Sequence, residues 1–291
     1  MKILVALDGS DAAFNALKSS CRIAHKMRSY VTAFYVNKGE EYSPEVTGWT
    51  SIKERISREL EIFGHEVIQK AYEIGRMIDV PVEGVVSEGI PAQEIYKYVN
   101  AHGIIKLVTT GHTSKGRGAQ EFVESTTKTV VSQSKVPVFV TSRDSEIRRI
   151  LIAVDDSDVS KRVTAFGGGL AKSLNAELGV ISFIPDAEAT INEYTRIAEV
   201  PNIEKYIEAS EKGLKELVAR TMSSTRNILI SMDVKAPEII KKGRPAEEIL
   251  SEAGSYDLLM VGLRSDHPQR KLSGIANRIL NFHETSTIFV Q

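Results

Sequence analysis

The chain is written twice, and that duplication constrains its fold more than any other feature. Lys2–Leu17, KILVALDGSDAAFNAL, recurs as RILIAVDDSDVSKRV at Arg149–Val163. EGIPAQEIYKYV at Glu88–Val99 recurs as KGRPAEEILSEA at Lys242–Ala253, and KLVTTG at Lys106–Gly111 recurs as LLMVG at Leu258–Gly262. VPVFV at Val136–Val140 recurs as STIFV at Ser286–Val290. Four matches in one order, each offset by about 150 residues, identify a tandem duplication. The join falls near 141–147, which gives an expected first domain at 1–143 and a second at 147–291.

Within each half the pattern alternates strand and helix. ILVAL is a continuous apolar run, as expected of a strand covered on both faces. From Asp11 to His25, residues Ala12, Ala13, Ala16, Leu17, Ser20 and Ala24 form a helical stripe. YVTAFYV reads as the second strand. A long helix is expected from about Ser51 to Met77, with Ile52, Ile56, Leu60, Phe63, Val67, Ile68 and Ala71 spaced by three and four. VPVEGVV is the third strand, Pro91 opens the next helix, and IIKLVTT and VPVFV are the fourth and fifth strands. This alternation implies right-handed parallel crossovers, hence an α/β fold with an open doubly wound sheet in each half. Such sheets bind ligands beyond the carboxyl ends of their strands, where the strand order reverses. Asp8, Val36, Gly89 and Gly111 fall at those ends in the first half, and Asp155, Phe183, Gly243 and Gly262 in the second.

Composition narrows the function classes. Lys and Arg number 37 against 38 Asp and Glu, so no bulk field draws the chain to nucleic acid or to an anionic membrane. Hydrophobic residues make up 42% and charged residues 26%, as in a soluble globular protein. The apolar start stops at Asp8, too short for a signal peptide, and no stretch approaches the roughly 20 residues that span a bilayer. A cytoplasmic location is expected. The single cysteine, Cys21, excludes an internal disulfide and lies at helical spacing from Leu17 and Ala24, a packing position. His112 and His267 follow the fourth strands without a second ligand at useful spacing, so no metal is expected. With no nucleophile elbow, no metal-ligand cluster and no carboxylate pair of fixed separation, the chain is not expected to be an enzyme.

The start ILVALDGS, a fourth strand ending in Gly111, the glycine-bearing loop GHTSKGRGAQEFVES (Gly111–Ser125) and the closing VPVFV together resemble the universal stress protein family. The resemblance covers each half almost end to end. It implies an adenine nucleotide alpha hydrolase-like fold: two tandem five-stranded parallel sheets of order 3-2-1-4-5, packed as a pseudo-twofold pair with the fifth strands side by side. Nucleotide-binding members carry G-x2-G-x9-G-[S/T] after strand 4, glycines admitting phosphate to backbone N–H groups and the last pair opening a helix. On this sequence the pattern begins at Gly111 and meets Ser114 where the second glycine belongs. Glu124 replaces the third glycine, and Ser125 keeps the hydroxyl position, with Thr126 beside it at the expected helix N-terminus. The second half gives Gly262, Ser265 and a helix start at Ser273-Gly274, a loop about two residues short.

The residues that the resemblance assigns to an adenine nucleotide are Asp8, Val36, Gly111, Ser114, Ser125 and Thr126 in the first half, while Lys115 is a loop cation that can partly compensate for the missing glycines or serve as an ordinary solvated charge. In the second half they are Asp155, Phe183, Gly262, Ser273 and Gly274. The aspartates reach the ribose side and the strand 2 ends contribute backbone to adenine. A carboxylate at 124 is a poor neighbour for triphosphate, so AMP is expected in preference to ATP. The expected function is non-enzymatic stress-response binding and signalling, with internal domain pairing and room for a homodimer. Two alternatives stay open: an interaction scaffold whose loops are relics, and, more weakly, slow ATP hydrolysis. Bland readings also stand beside each site residue. Asp8 and Asp155 could serve as helix caps, with Ser10 and Ser157 the next candidates, and Gly111 and Gly262 could simply end strand 4.

Overall fold

The computed structural model describes residues 2–37, 50–112, 120–186, 188, 191, 203–263, 272, 274–282 and 285–291, with the backbone alone at 50–54, 120–125 and 282. The chain divides into two compact units, Met1–Glu146 with Ser286–Phe289, and Ile147–Thr285 with Val290–Gln291.

The first unit alternates as the sequence pattern requires: β1 (Lys2–Leu7), α1 (Asp11–Lys26), β2 (Tyr30–Asn37), α2 (Thr50–Ile78), β3 (Val82–Glu88), α3 (Pro91–Ala101), β4 (Ile105–Gly111), α4 (Gln120–Gln133) and β5 (Val138–Thr141). The strands run parallel in the order β3-β2-β1-β4-β5, the expected 3-2-1-4-5. Thr287–Phe289 completes this unit, antiparallel to β5. Ile3, Leu4, Val5, Leu107 and Val108 are buried in the two central strands, where α1 packs on β1 and β4 and against α2, while α3 packs against α4. Pro81 ends no ladder of its own, yet its carbonyl accepts from Val31 N–H at 3.1 Å, and β3 proper begins one residue later.

The second unit contains β6 (Arg149–Ala153), α5 (Asp158–Leu174), β7 (Glu177–Ile184), α6 (Ile203–Ser231), β8 (Glu238–Lys242), α7 (Pro245–Ala253), β9 (Leu258–Gly262) and α8 (Gly274–Phe282). Its parallel order is β8-β7-β6-β9, the same 3-2-1-4 sequence of neighbours. Asn175 ends α5 in the left-handed conformation at φ 55°. Pro91 and Pro245 each stand in the first turn of their helix, where a missing N–H costs nothing. Among the described residues no helix is long and apolar enough to cross a membrane.

Candidate functional site

In the first unit the chain steps from β1 outward to β2 and β3, then returns to the other side of β1 as β4. The β1 and β4 ends therefore diverge, and a cleft of about 350 Å³ opens above them. Every layer contributes to it: Ala6, Leu7 and Asp8 from β1 and its end, Ala13 from α1, Phe34, Tyr35 and Val36 from β2, and Leu60 from α2. Pro91 and Ile95 come from α3, Thr110 and Gly111 from β4, and Thr126 and Thr127 from α4. Register fixes the floor. Ala6 pairs with Phe34 on one side and with Thr110 on the other, so these three side chains share a face in one row.

Asp8 is exposed at the rim, where its Oδ1 accepts from the Ser10 backbone N–H at 2.9 Å and from the Ser10 hydroxyl at 2.6 Å. Ser10 in turn caps α1, accepting from Ala13 N–H at 3.2 Å. The cap is thus Ser10, and Asp8 orients it. Gly9, between them, has φ +84°, and a Cβ there would stand 2.5 Å from Phe63 Cζ. Phe63 meets Tyr35 edge-on, ring centroids 6.1 Å apart. Burial and then the charge of Asp8 raise the Tyr35 phenol above its ordinary pKa, so it stays a neutral hydroxyl.

Gly111 has a structural duty of its own. A Cβ at this position would lie 2.7 Å from the Ala13 nitrogen and 2.9 Å from Ala12 C, so only glycine lets β4 end against the first turn of α1. At Gly262 in the second unit an added Cβ would instead meet the Val159 side chain, 2.8 Å from its Cγ1.

The corresponding aspartate of the second unit is differently engaged. Asp155 Oδ1 accepts from Ser157 N–H at 3.0 Å, from the Ser157 hydroxyl, and from the Ser160 hydroxyl at 2.7 Å. The Ser160 oxygen also accepts from Asp155 N–H at 2.8 Å. Ser157 is the N-cap of α5 by position but makes no side-chain cap bond. Phe183 is half-buried at the end of β7, and Gly274 is exposed at the start of α8.

Of the sequence-expected residues the cleft brings together Asp8, Val36, Gly111 and Thr126. Ser114, Lys115 and Ser273, and the side chain of Ser125, lie outside the described residues. One expectation is corrected. The helix after β4 begins at Gln120, so Ser125 and Thr126 stand in its second turn rather than at its N-terminus. Gln120, Glu121 and Phe122 contain no breaker, and the helix extends back through them. Sequence reading missed Ala13, Phe34, Tyr35, Pro91, Ile95, Thr110 and Thr127 as cleft residues. The alternation of β2 and β4 held the signal for Phe34 and Thr110, once the register against Ala6 was known. Among the described residues no three His, Cys, Asp or Glu side chains gather as a metal site.

The sequence matches the universal stress protein family twice, over residues 1–142 and 146–281. Universal stress protein YxiE of Bacillus subtilis is 26% identical over 147 residues, 49% of this chain and 98% of that protein. Universal stress protein MJ0531 of Methanocaldococcus jannaschii is 27% identical over 146 residues, 49% of this chain and 82% of that protein. The fold is also that of a crystallised universal stress protein from Archaeoglobus fulgidus, with a TM-score of 0.71 at 14% identity, covering 99% of this chain and 95% of the other. Two matches that together span most of the sequence, on two units of one strand order, place this chain in the universal stress protein family.

Proposed function

We propose that this universal stress protein binds an adenine nucleotide in the first-unit cleft and acts as a non-enzymatic signalling protein. The observation that carries this reading is the cleft itself. It lies at the β1/β4 switch point, with the Asp8 carboxylate at its rim and aromatic and aliphatic walls from Phe34, Val36 and Ile95. A flat ring fits such walls, and a sugar hydroxyl fits an exposed carboxylate. AMP suits the site better than ATP, because Ser114 and Glu124 stand where the family pattern has glycines and a short phosphate needs fewer backbone contacts. The second unit is the weaker candidate, since Asp155 is already engaged by Ser157 and Ser160.

Calorimetry of the intact chain with AMP and with ATP tests this. One AMP per chain is expected, with ATP weaker. Asp8→Asn, which keeps an acceptor for Ser10, should lower affinity by about tenfold, the loss of one charge-assisted hydrogen bond. Asp155→Asn should change it little. No heat and no thermal shift with either nucleotide would overturn the reading. Recovery of unchanged ATP after long incubation excludes hydrolysis. The scaffold reading is favoured by the exposed Ile56 and Ile62 on α2, 52% and 54% accessible, and gains if calorimetry is silent.

A further inference from the structure

We infer that the Thr110 hydroxyl is a specificity-determining contact, meeting a hydrogen-bonding atom on the nucleoside part of the ligand. This rests on the nucleotide reading of the first-unit cleft and adds to it a residue that the sequence pattern does not assign. Among the described residues four buried side-chain atoms have no partner: Thr32 Oγ1, Asn37 Oδ1, Thr110 Oγ1 and Asn277 Oδ1. Of these four residues, Thr110 lines the cleft, and it is 3% exposed. A buried hydroxyl without a partner is a cost to the fold, so its presence calls for a benefit elsewhere.

The duplication supplies the comparison. In the first unit the floor row is Phe34–Ala6–Thr110. In the second unit the pairing of Ala153 with Ile181 and the repeat place Ile181, Ala153 and Val261 at the same positions. Val261 is buried in β9 at 4% exposure. Valine has the shape of threonine and fills this place in an otherwise equivalent sheet, so packing does not require the hydroxyl. Nor does a neighbour use it: the adjacent Thr127 hydroxyl points to the Gly111 carbonyl oxygen, 3.5 Å away. Ala6 is the small, half-buried middle member of this row, and Phe34 and Thr110 stand on the strands either side of it, two strand spacings or roughly 10 Å apart. A planar heterocycle with its sugar spans that distance, its apolar face toward Phe34 and a polar atom toward Thr110.

The test uses the full chain, adenosine and AMP as probes, and the variants Thr110→Val and Thr110→Ser. Calorimetry should show adenosine and AMP weakened by the same factor, about tenfold, in Thr110→Val. Thr110→Ser should keep most of the affinity. The ligand-free melting temperature of Thr110→Val should be unchanged or higher. Equal binding by wild type and Thr110→Val overturns the inference and leaves the nucleotide reading intact. A loss confined to AMP overturns it too, since the contact would then lie on phosphate. A fall of several degrees in the melting temperature of ligand-free Thr110→Val also overturns it, because the hydroxyl would be serving the fold. Binding of neither probe to wild type overturns the inference together with the reading beneath it.

Discussion

Ser160 donates its hydroxyl to Asp155 Oδ1 at 2.7 Å, and the repeat places Ala13 where the first unit would need a serine to make the same bond. Two nearly identical strand ends thus carry aspartates in different states. Asp155 is held by two serines; Asp8 bonds to Ser10 and faces the cleft. Transplanting the serine should transfer the difference. Ala13→Ser is expected to reduce AMP affinity by about tenfold in calorimetry, as the new hydroxyl competes for Asp8 and fills cleft space. Ser160→Ala should leave AMP binding unchanged while costing about 1–2 kcal/mol of stability, read by urea unfolding.

The two strand-4 glycines should respond unequally to a methyl group. At Gly111 the added carbon meets backbone atoms of α1 at 2.7–2.9 Å, which can retreat only by moving the helix. At Gly262 it meets the Val159 side chain, which can turn. Gly111→Ala is therefore expected to cost about 3 kcal/mol and Gly262→Ala about 1 kcal/mol, by urea unfolding. This loss would appear with or without nucleotide, which separates the packing duty of Gly111 from any ligand contact.

Gly213 lies in the interior of α6 with nothing within 4 Å of its would-be Cβ. Alanine should fit without adjustment and remove the flexibility penalty of glycine in a helix. Gly213→Ala is expected to stabilise the chain by about 1 kcal/mol, seen as a rise in melting temperature. Gly168→Ala in α5 is the contrasting case, because its Cβ would meet Leu229 Cδ2 at 3.0 Å, and the gain should vanish or reverse.

Burial pushes the Cys21 thiol up to about 12 from its ordinary value of 9.0. The folded chain therefore retains a proton that the unfolded chain releases between those values. Stability supplied by the neutral thiol is complete below pH 9 and is lost as pH rises toward 12, at about 1.4 kcal/mol per unit. Cys21→Ala removes that slope, so wild type should lose stability faster than the variant between pH 9 and 11 in urea titrations. Native Cys21 should also resist alkylation at neutral pH, while unfolded protein reacts.

Much of this architecture was legible because duplication and strand–helix alternation are long-range patterns. ILVAL, the stripe from Asp11 and the long helix read as Ser51–Met77 all found their elements, the last as Thr50–Ile78. The strand-end positions of Asp8, Val36 and Gly111 were equally readable, since a doubly wound sheet puts its strand ends on one side. What escaped depends on register and on competition between neighbours. Thr110 reads as one more apolar-run residue until its row with Ala6 and Phe34 is known. The division of labour at Asp8-Gly9-Ser10, one residue capping and the other orienting the cap, is invisible while both are plausible caps. The start of α4 was misplaced because the family pattern put a helix opening at Ser125, whereas local propensity continues back to Gln120.

The serine pair on Asp155 also governs how such a chain would report a ligand. Two equivalent clefts in one molecule could couple, the first occupant altering the second and steepening the response. With Asp155 engaged from within its own unit, the proposed binding in the first unit alone would be hyperbolic. Its Hill coefficient is one, and passing from 10% to 90% occupancy takes about an eighty-fold change in ligand concentration. If the proposed nucleotide binding holds, duplication with one aspartate engaged by its own serines would make the chain a graded gauge of ligand level, where a matched pair could have switched.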